Sequence, residues 1–362
     1  MRYAAFMAVV VGVLGFGFFI PQRELVNTSG QEAPFVVRVP QEYPTIQAAI
    51  DAVAEGGMVL IGPGTYQESI RITKSLRVIG VSQDLVHIQA NKAITIEAVR
   101  PIQVYLSDLT VKAQQLGIGI GSQVQAIIER STVTSRYVGI ELLGGSVGFL
   151  SAVTISRASC CGIFTLSSHL GLQGATIKEN HIGIALVLDA ILTVQDSIMK
   201  ENDIGIAAII GLGGRGILDI FDNSLSANML AAVAVINNGL LEAYLARNEI
   251  STNGVGIYLG YDFYQENQQK FQRPIPRLVR MSQNKIIGNL YYGLALQRKE
   301  CDEDRILSKI LQGLFPLPIP ILGVEEASLE GTVFTGWDNK IQDNGKADLC
   351  PPDYPWPPGF RK

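Results

Sequence analysis

The sequence has few charged residues and no excess of basic ones. Charged side chains make up 17% of the 362 residues, with 29 Lys+Arg against 33 Asp+Glu and a formal net charge of -4. Proteins that bind nucleic acid usually carry a basic patch or stripe, so nucleic acid is not an expected partner. The same shortage of charge, together with 47% hydrophobic residues, excludes a disordered chain.

Metal-binding and redox motifs are also missing. The chain has three His and four Cys, and neither a CxxC sequence nor a ligand-like spacing among His87, His169 and His181 occurs. Calcium could bind to clustered carboxylates, but no calcium-loop spacing is present. We therefore expect no metal site and no cofactor.

The first twenty residues form an apolar segment behind a short basic start. The uncharged run that ends at Ile20 is typical either of a secretory signal peptide or of an uncleaved membrane anchor. Both alternatives export residues 21–362, so we expect a secreted, periplasmic or cell-surface protein. The membrane would be contacted only through this segment. Residues 21–38 are predicted to be a linker.

Four cysteines fit an exported protein. Cys301 and Cys350 lie in turn-rich sequence near the C-terminus, and a disulfide between them would stabilise the fold by roughly 4 kcal/mol. Cys160 and Cys161 are neighbours in the sequence. Consecutive side chains of a strand face opposite sides, so we expect one of these two in the core, one at the surface, and no metal pair.

A repeat of about 22 residues runs through most of the chain. Gly-Ile-x-aliphatic sequences or close variants recur at Gly117, Gly139, Gly162, Gly183, Gly205, Gly256 and Gly293. Just ahead of them lies a column of Asn residues at Asn180, Asn202, Asn228, Asn253, Asn289 and Asn344. Five residues earlier lies another column, which includes Asn223, Asn248, Asn284 and Asn339. Short strands with polar corners at this period predict a solenoid of parallel strands about 4.8 Å apart.

The predicted fold is all-β: a single-stranded right-handed parallel β-helix over residues 39–345. Asn is expected at its corners because Asn tolerates the left-handed backbone conformation, and because stacked amides can hydrogen-bond along a column. Ile46 and Ile50 fall at helical spacing behind Thr45, which predicts a short N-terminal capping helix. Residues 346–362 are predicted to be a proline-rich C-terminal tail.

The opening of this repeat region resembles a known family. Two stretches, Tyr43-Pro44-Thr45-Ile46-Gln47-Ala48-Ala49-Ile50 and Gly62-Pro63-Gly64-Thr65-Tyr66-Gln67-Glu68, are similar to the opening of pectin methylesterases. The Asn/Gly repeats are more similar to bacterial β-helix repeat proteins, which include the periplasmic copper-binding accessory proteins of nitrous oxide reductase. The resemblance implies the fold of the pectin-lyase-like superfamily, which hosts esterases, lyases, hydrolases, epimerases and proteins without a known reaction. Within the opening, Tyr66 and Glu68 are expected to be structural.

The motifs that carry catalysis in those enzymes are missing. DFIFG and LGRPW of the pectin methylesterases do not occur, and Gln195-Asp196-Ser197 begins like QDTL but has no Leu after it. The polygalacturonase signatures and the DPHE motif of the epimerases are absent as well, so no catalytic residue can be transferred. Glycosidase chemistry would need two converging acids among Asp189, Asp196, Asp219 and Asp222. Whether the chain is an enzyme stays open.

Two insertions interrupt the repeat, at about 260–280 and 297–331. The first insertion is rich in aromatic residues. The second begins with an acidic patch and continues into an apolar run, Leu314 to Pro320. Insertions at one repeat position of a solenoid emerge on one side, which is often the binding side. The candidate binding residues are the aromatic ones in and beside the insertions: Tyr258, Tyr261, Phe263, Tyr264 and Tyr292.

Alternation within the Gly-Ile-x-Leu strands predicts one outward column that is poor in charge. It comprises Glu141, Phe164, Ala185, Ala207, Ala234, Tyr258 and Ala295. A large apolar patch rarely stays open on a soluble monomer. We therefore expect the second insertion, or a second copy of the protein, to cover this face.

Three functions are compatible with these features. The leading hypothesis is an exported β-helix repeat protein that binds carbohydrate or an envelope protein, without the pectin methylesterase catalytic set. The alternative is a polysaccharide-active enzyme, an esterase, lyase or hydrolase, whose site the sequence does not reveal. The third is a structural solenoid that oligomerises along its flank.

Overall fold

Parallel strand pairing dominates the structure, which is a computed structural model. It describes residues 33–211, 213–237, 239–261, 277–296, 301, 332–357 and 360. Thirty strands, β1 to β30 in chain order, and one helix, α1, occur in these residues. Each turn of chain passes through three ladders, here sheets I, II and III, before it returns one coil further along. The predicted all-β, right-handed parallel β-helix is confirmed.

Sheet I contains β1 (Val36–Val39), β2 (Met58–Ile61), β5 (Leu76–Gly80), β7 (Ile102–Ser107), β9 (Val124–Glu129), β12 (Val147–Ser151), the second halves of β14 (Cys161–Gln173) and β16 (Ile182–Gln195), β19 (Arg215–Phe221), β22 (Leu240–Ala246), β25 (Arg277–Ser282) and β28 (Thr332–Trp337). Sheet II contains β3 (Gly64–Tyr66), the first halves of β6 (Val86–Ile96) and β8 (Thr110–Ile120), β10 (Thr132–Ser135), β13 (Thr154–Ser156), β15 (Thr176–Lys178), β17 (Ile198–Lys200), β20 (Ser224–Ser226), β23 (Glu249–Ser251), β26 (Lys285–Ile287) and β29 (Lys340–Gln342). Sheet III contains β4 (Ile70–Ile72), the second halves of β6 and β8, β11 (Val138–Leu143), the first halves of β14 and β16, β18 (Ile204–Ile210), β21 (Ala231–Asn237), β24 (Val255–Tyr261), β27 (Tyr292–Leu296) and β30 (Ala347–Cys350).

Both Asn columns form continuous buried ladders between sheets. Asn228 Nδ2 donates to Asn253 Oδ1 at 2.8 Å, and the Asn228 backbone N–H donates to the same oxygen at 3.0 Å. Asn253 repeats both bonds to Asn289 Oδ1, each at 3.0 Å. The ladder ends where Asn344 Nδ2 donates to the Asp348 carboxylate at 3.0 Å. The prediction of stacked amides is confirmed, and the second column pairs in the same way.

The left-handed conformation falls on the residue before each Asn rather than on the Asn. Thr252, with φ 58°, precedes Asn253, and Asp222, with φ 61°, precedes Asn223. The expectation that Asn adopts this conformation is therefore wrong. Asn is needed for its side-chain bonds, whereas the left-handed residue directs its own side chain outward. There it can pair with the next coil, as the Asp222 carboxylate does with the Arg247 guanidinium, at 2.6 and 2.5 Å.

The first coil is closed by α1 (Ile46–Ala52), as predicted. Thr45 Oγ1 accepts the N–H of Ala48 at 3.1 Å. The Glu68 carboxylate accepts the N–H groups of Ile46 and Gln47 at 2.8 and 2.9 Å, and these two donors have no partner within the helix. Tyr66 OH donates to the Gly62 carbonyl at 2.8 Å. Glu68 thus holds the start of the helix and Tyr66 holds the corner at Gly62, which are the structural roles expected of them.

The ends of the β-helix differ from the predicted boundaries. β1 begins at Val36, inside the predicted linker, because its alternate residues Val37 and Val39 are buried against the first coil. At the other end, the predicted tail supplies β30 and then Trp356, whose ring packs 5.4 Å from that of Phe334. Burial of these rings closes the last coil. Residues 1–20 lie outside the described residues, and no helix within the described part is long and apolar enough to cross a membrane.

The Asn ladder predicts a stability difference between two substitutions. Asn253→Ala removes the acceptor of two buried donors of Asn228, so the free energy of unfolding should fall by roughly 1–3 kcal/mol. Asn91→Ala, at an exposed position, should change it by less than about 0.5 kcal/mol. Urea unfolding of both variants checks this. Equal losses would contradict a specific role of the ladder.

The left-handed corners predict an unusual effect of glycine. Ala227 is exposed and has φ 53°. Because a side chain disfavours this conformation, Ala227→Gly should raise the free energy of unfolding by about 0.5–1 kcal/mol. Ala90→Gly, within a strand, should lower it by a similar amount. A loss in both variants, measured by urea unfolding, would show that the corner carries no conformational cost.

Candidate functional site

Two of the candidate aromatic residues chosen from the sequence, Tyr258 and Tyr292, are buried. Tyr258 and Tyr292 project from the outer face of sheet III and are only 0% and 5% exposed. They therefore offer little surface to a ligand, and their assignment as ligand-contacting residues stays a prediction. Tyr261 ends strand β24, next to the first insertion. Phe263 and Tyr264 lie outside the described residues.

Burial extends along the outer face of sheet III. The strand register aligns Ala185, Ala207, Ala234, Tyr258 and Ala295, and each is at most 1% exposed. Glu141 and Phe164, at the start of the same column, are half-buried. These five residues are thus covered within a single chain, as predicted. The second insertion, which was expected to cover them, lies outside the described residues except for Cys301.

A disulfide joins the second insertion to this covered face. Cys350 follows Ala295 in the outer column of sheet III, and its sulfur is bonded to that of Cys301. Cys301 is fully buried in the same apolar cluster. The predicted pair is thus bonded in the structure, and it ties the start of the insertion to the covered face.

Sheet I presents a different outer face, which is open to solvent along its length. Its middle column is formed by Tyr105, Ile127, Phe149, Gly171, Thr193, Asp219, Tyr244, Arg280 and Thr335. Every member is half-buried or exposed. A neighbouring column on the same face contributes Gln103, Gln125, His169 and Glu242. Aromatic, amide and charged groups therefore share this surface, which we call the open face.

Two aromatic rings define the N-terminal part of the open face. Phe149 lies beside Gly171, where an added Cβ would come within 2.9 Å of the ring, so only glycine leaves room for this ring position. Two coils away, Tyr105 OH donates to the Glu129 carboxylate at 2.8 Å. The Arg77 guanidinium lies 5.1 Å from the centre of the Tyr105 ring. Both rings are thus held in place, with part of their surface exposed.

The C-terminal part of the open face carries charged residues. Asp219 and Tyr244 occupy the middle column in adjacent coils, and Arg280 follows one coil later. Glu242 lies two residues before Tyr244, and its carboxylate is 3.6 Å from the Arg215 guanidinium. Two carboxylates, a phenol and two guanidiniums are therefore grouped within three coils.

The other acids considered from the sequence do not join this group. Asp189 accepts the backbone N–H of Arg215 at 2.8 Å. Asp222 is paired with Arg247, and Asp196 is an exposed corner residue with φ 51°. Only Asp219 of the four lies on the open face. Within the described part of the chain, no cluster of three or more His, Cys, Asp or Glu is arranged to hold a metal ion.

Comparison with known proteins agrees with this architecture. Residues 86–250 match the family described as "Right handed beta helix region". The match agrees with the right-handed parallel β-helix fold of the structure. No curated protein sequence matches it significantly.

Three solved structures have the same fold. The A-module of the mannuronan C-5 epimerase AlgE6 of Azotobacter vinelandii aligns with a TM-score of 0.54 and 14% identity, over 88% of this chain and 96% of that one. The catalytic unit of an α-1,3-glucanase from Streptomyces thermodiastaticus aligns at 0.53 and 15%, over 74% and 62%. A mutant of the periplasmic alginate epimerase AlgG aligns at 0.51 and 11%, over 88% and 76%. Such low identities establish the fold alone.

Proposed function

We propose that the protein is exported and binds an extended polysaccharide along the open face of sheet I. The observation that carries the proposal is the contrast between two faces of one solenoid. The outer face of sheet III is buried from Ala185 to Ala295, whereas over the same coils the open face keeps Asp219, Tyr244 and Arg280 half-buried or exposed, and it carries accessible aromatic and amide side chains in the coils before them.

The spacing of the open face suits a polymer that runs parallel to the solenoid axis. Coils are about 4.8 Å apart, so a chain of sugar rings would meet a new side chain of the middle column at each coil. Phe149 and Tyr105 offer partly exposed rings against which the apolar faces of sugars can stack. Gln103 and Gln125, which are exposed, offer amides that can hydrogen-bond to hydroxyl groups.

Similarity to enzymes named for mannuronan, alginate and α-1,3-glucan favours a polysaccharide over an envelope protein as the ligand. Export is supported by the apolar segment before residue 21 and by the bonded pair of Cys301 and Cys350, since disulfides persist mainly outside the cytosol. A protein partner remains an outcome of the binding experiment.

The binding hypothesis is tested by removing single rings. Phe149→Ala and Tyr244→Ala should each weaken binding about 3- to 10-fold, the loss expected for one stacking contact. Affinity electrophoresis in gels that contain alginate, polygalacturonate or α-1,3-glucan measures the effect. Tyr137→Ala is the matched control, because Tyr137 is 49% exposed at a corner away from the open face. Equal retardation of all variants, or of none, would contradict binding at this face.

A second candidate, a polysaccharide-active enzyme, is favoured by one observation: the grouping of Asp219, Glu242, Tyr244 and Arg280. Two carboxylates with a phenol can exchange protons with a sugar, and a guanidinium can neutralise a uronate. Release of reducing ends or unsaturated sugars from the same polymers would identify activity. Asp219→Asn and Glu242→Gln should then abolish it, whereas Asp196→Asn, at an exposed corner, should not. Binding without product formation would contradict the enzyme and support the first candidate, a polysaccharide-binding protein.

A further inference from the structure

Cys160 and Cys161 lie together on one side of the chain, contrary to the alternation expected in a strand. Their sulfur atoms are 2.6 Å apart, and both side chains are buried, at 7% and 0% exposed. The expectation of one core and one surface cysteine is therefore wrong. Neither belongs to the disulfide between Cys301 and Cys350.

The corner between sheets II and III explains the arrangement. The N–H groups of Cys160 and Cys161 both point to the Tyr137 carbonyl, at 3.1 and 3.4 Å. In a regular strand, consecutive N–H groups point in opposite directions, so two donors on one acceptor mark a bend that brings both side chains to one side. The same arrangement recurs two coils later, where the N–H groups of Asp203 and Ile204 both point to the His181 carbonyl, and three coils later, where those of Leu230 and Ala231 both point to the Asp203 carbonyl.

We propose that Cys160 and Cys161 form a dithiol site that reacts with small disulfide oxidants and closes to a disulfide between the two neighbours. Cys160 is the attacking residue, because it lies in the bend at the corner and keeps a small exposed fraction. Cys161 is the resolving residue, because it begins strand β14 and is fully buried. The site is independent of the proposed polysaccharide binding, since it lies away from the open face.

The environments of the two thiols agree with these roles. The hydrogen bond from Cys161 lowers the pKa of Cys160 despite its partial burial. The same interaction, together with burial and the nearby Cys160 thiolate, raises the pKa of Cys161. A thiolate is the nucleophile in disulfide exchange, so the first attack falls to Cys160.

Other polar and charged residues lie near the two thiols at this corner. Tyr137, Cys160, His181 and Asp203 occupy the same corner position in four successive coils, and the Ile182 N–H donates to the Cys160 carbonyl at 2.9 Å. The His181 Nδ1 atom is hydrogen-bonded to Asp203 Oδ2. Half-buried Glu141 lies close enough to raise the pKa of both thiols. The negative charge of a carboxylate on this side disfavours ionisation of a second thiol. The disulfide is therefore favoured over the dithiol with both sulfurs ionised.

The reaction has two balanced steps. The Cys160 sulfur attacks one sulfur of an oxidant R–S–S–R, the bond between its sulfurs breaks, and the Cys160 proton leaves with the first RSH. The Cys161 sulfur then attacks the mixed disulfide at Cys160, and its proton leaves with the second RSH. The two cysteines lose two electrons and two protons in total, and the oxidant gains them.

A single digest tests the proposal. The full-length protein is mildly reduced, equilibrated with oxidised glutathione, denatured in N-ethylmaleimide and cut with trypsin without reductant. Both cysteines fall in one peptide, residues 158–178, between Arg157 and the cut after Lys178. We expect this peptide without maleimide and lighter than the dithiol by two hydrogen atoms. Recovery with both cysteines alkylated, or with glutathione retained on the wild-type protein, would overturn the proposal. The linked peptides of Cys301 and Cys350 serve as the internal reference.

Two variants assign the order of attack. Cys161→Ser removes the resolving thiol, so glutathione should remain on Cys160. Cys160→Ser should leave Cys161 at least about tenfold less modified in the folded protein, because a buried thiol of raised pKa reacts slowly. Equal modification of the two variants would overturn the assigned roles. Cys→Ala versions replace any variant whose melting temperature falls, and the wild-type digest does not depend on either.

Discussion

The buried amide ladder is the interaction on which the rest of the structure depends. Ahead of the last coil, each Asn of the two columns accepts from the preceding coil and donates to the next while buried, so an amide out of register would leave buried polar groups without partners. The ladders therefore fix the register of successive coils. A fixed register in turn aligns the outward residues of each sheet into columns, and these columns form the covered face and the open face.

The fold was predictable from the sequence because the ladder imposes one residue type at one spacing. The N-terminal cap was predictable for a similar reason, since Thr45 and the apolar residues behind it follow helical rules. The left-handed conformation at the corners was assigned to Asn, which is the wrong residue. Asn tolerates this conformation well, so its recurrence was explained by backbone preference, whereas the ladder hydrogen bonds are the reason for it. The neighbour that adopts it varies freely, as Thr252 and Asp222 illustrate.

The open face was missed because its residues do not repeat in type. Phe149, Asp219 and Tyr244 share a column only because the strand register aligns them. Asp219 and Tyr244 could have been found from the sequence, because they lie four residues before Asn223 and Asn248 of the Asn column. The tyrosines at 258 and 292 were preferred because they flank the insertions, but that flank is the one that is covered. Cys160 and Cys161 were placed on opposite sides because strand alternation was applied at a corner, where it fails.

The ladder that ends at Asp348 has a direction. In the column of Asn253, each side-chain carbonyl accepts from the N-terminal side and one N–H of each amide donates toward the C-terminal end, so the side-chain carbonyl dipoles add along the axis as peptide dipoles do in a helix. The other amide N–H donates to a backbone carbonyl of the preceding coil, as Asn253 does to Leu225. The partial positive charge gathers at Asn344, where a carboxylate accepts the last N–H. An acidic residue thus terminates the solenoid in the way that acids terminate the amino ends of helices. A further coil stacked on this end would have to supply an amide oxygen in place of that charge.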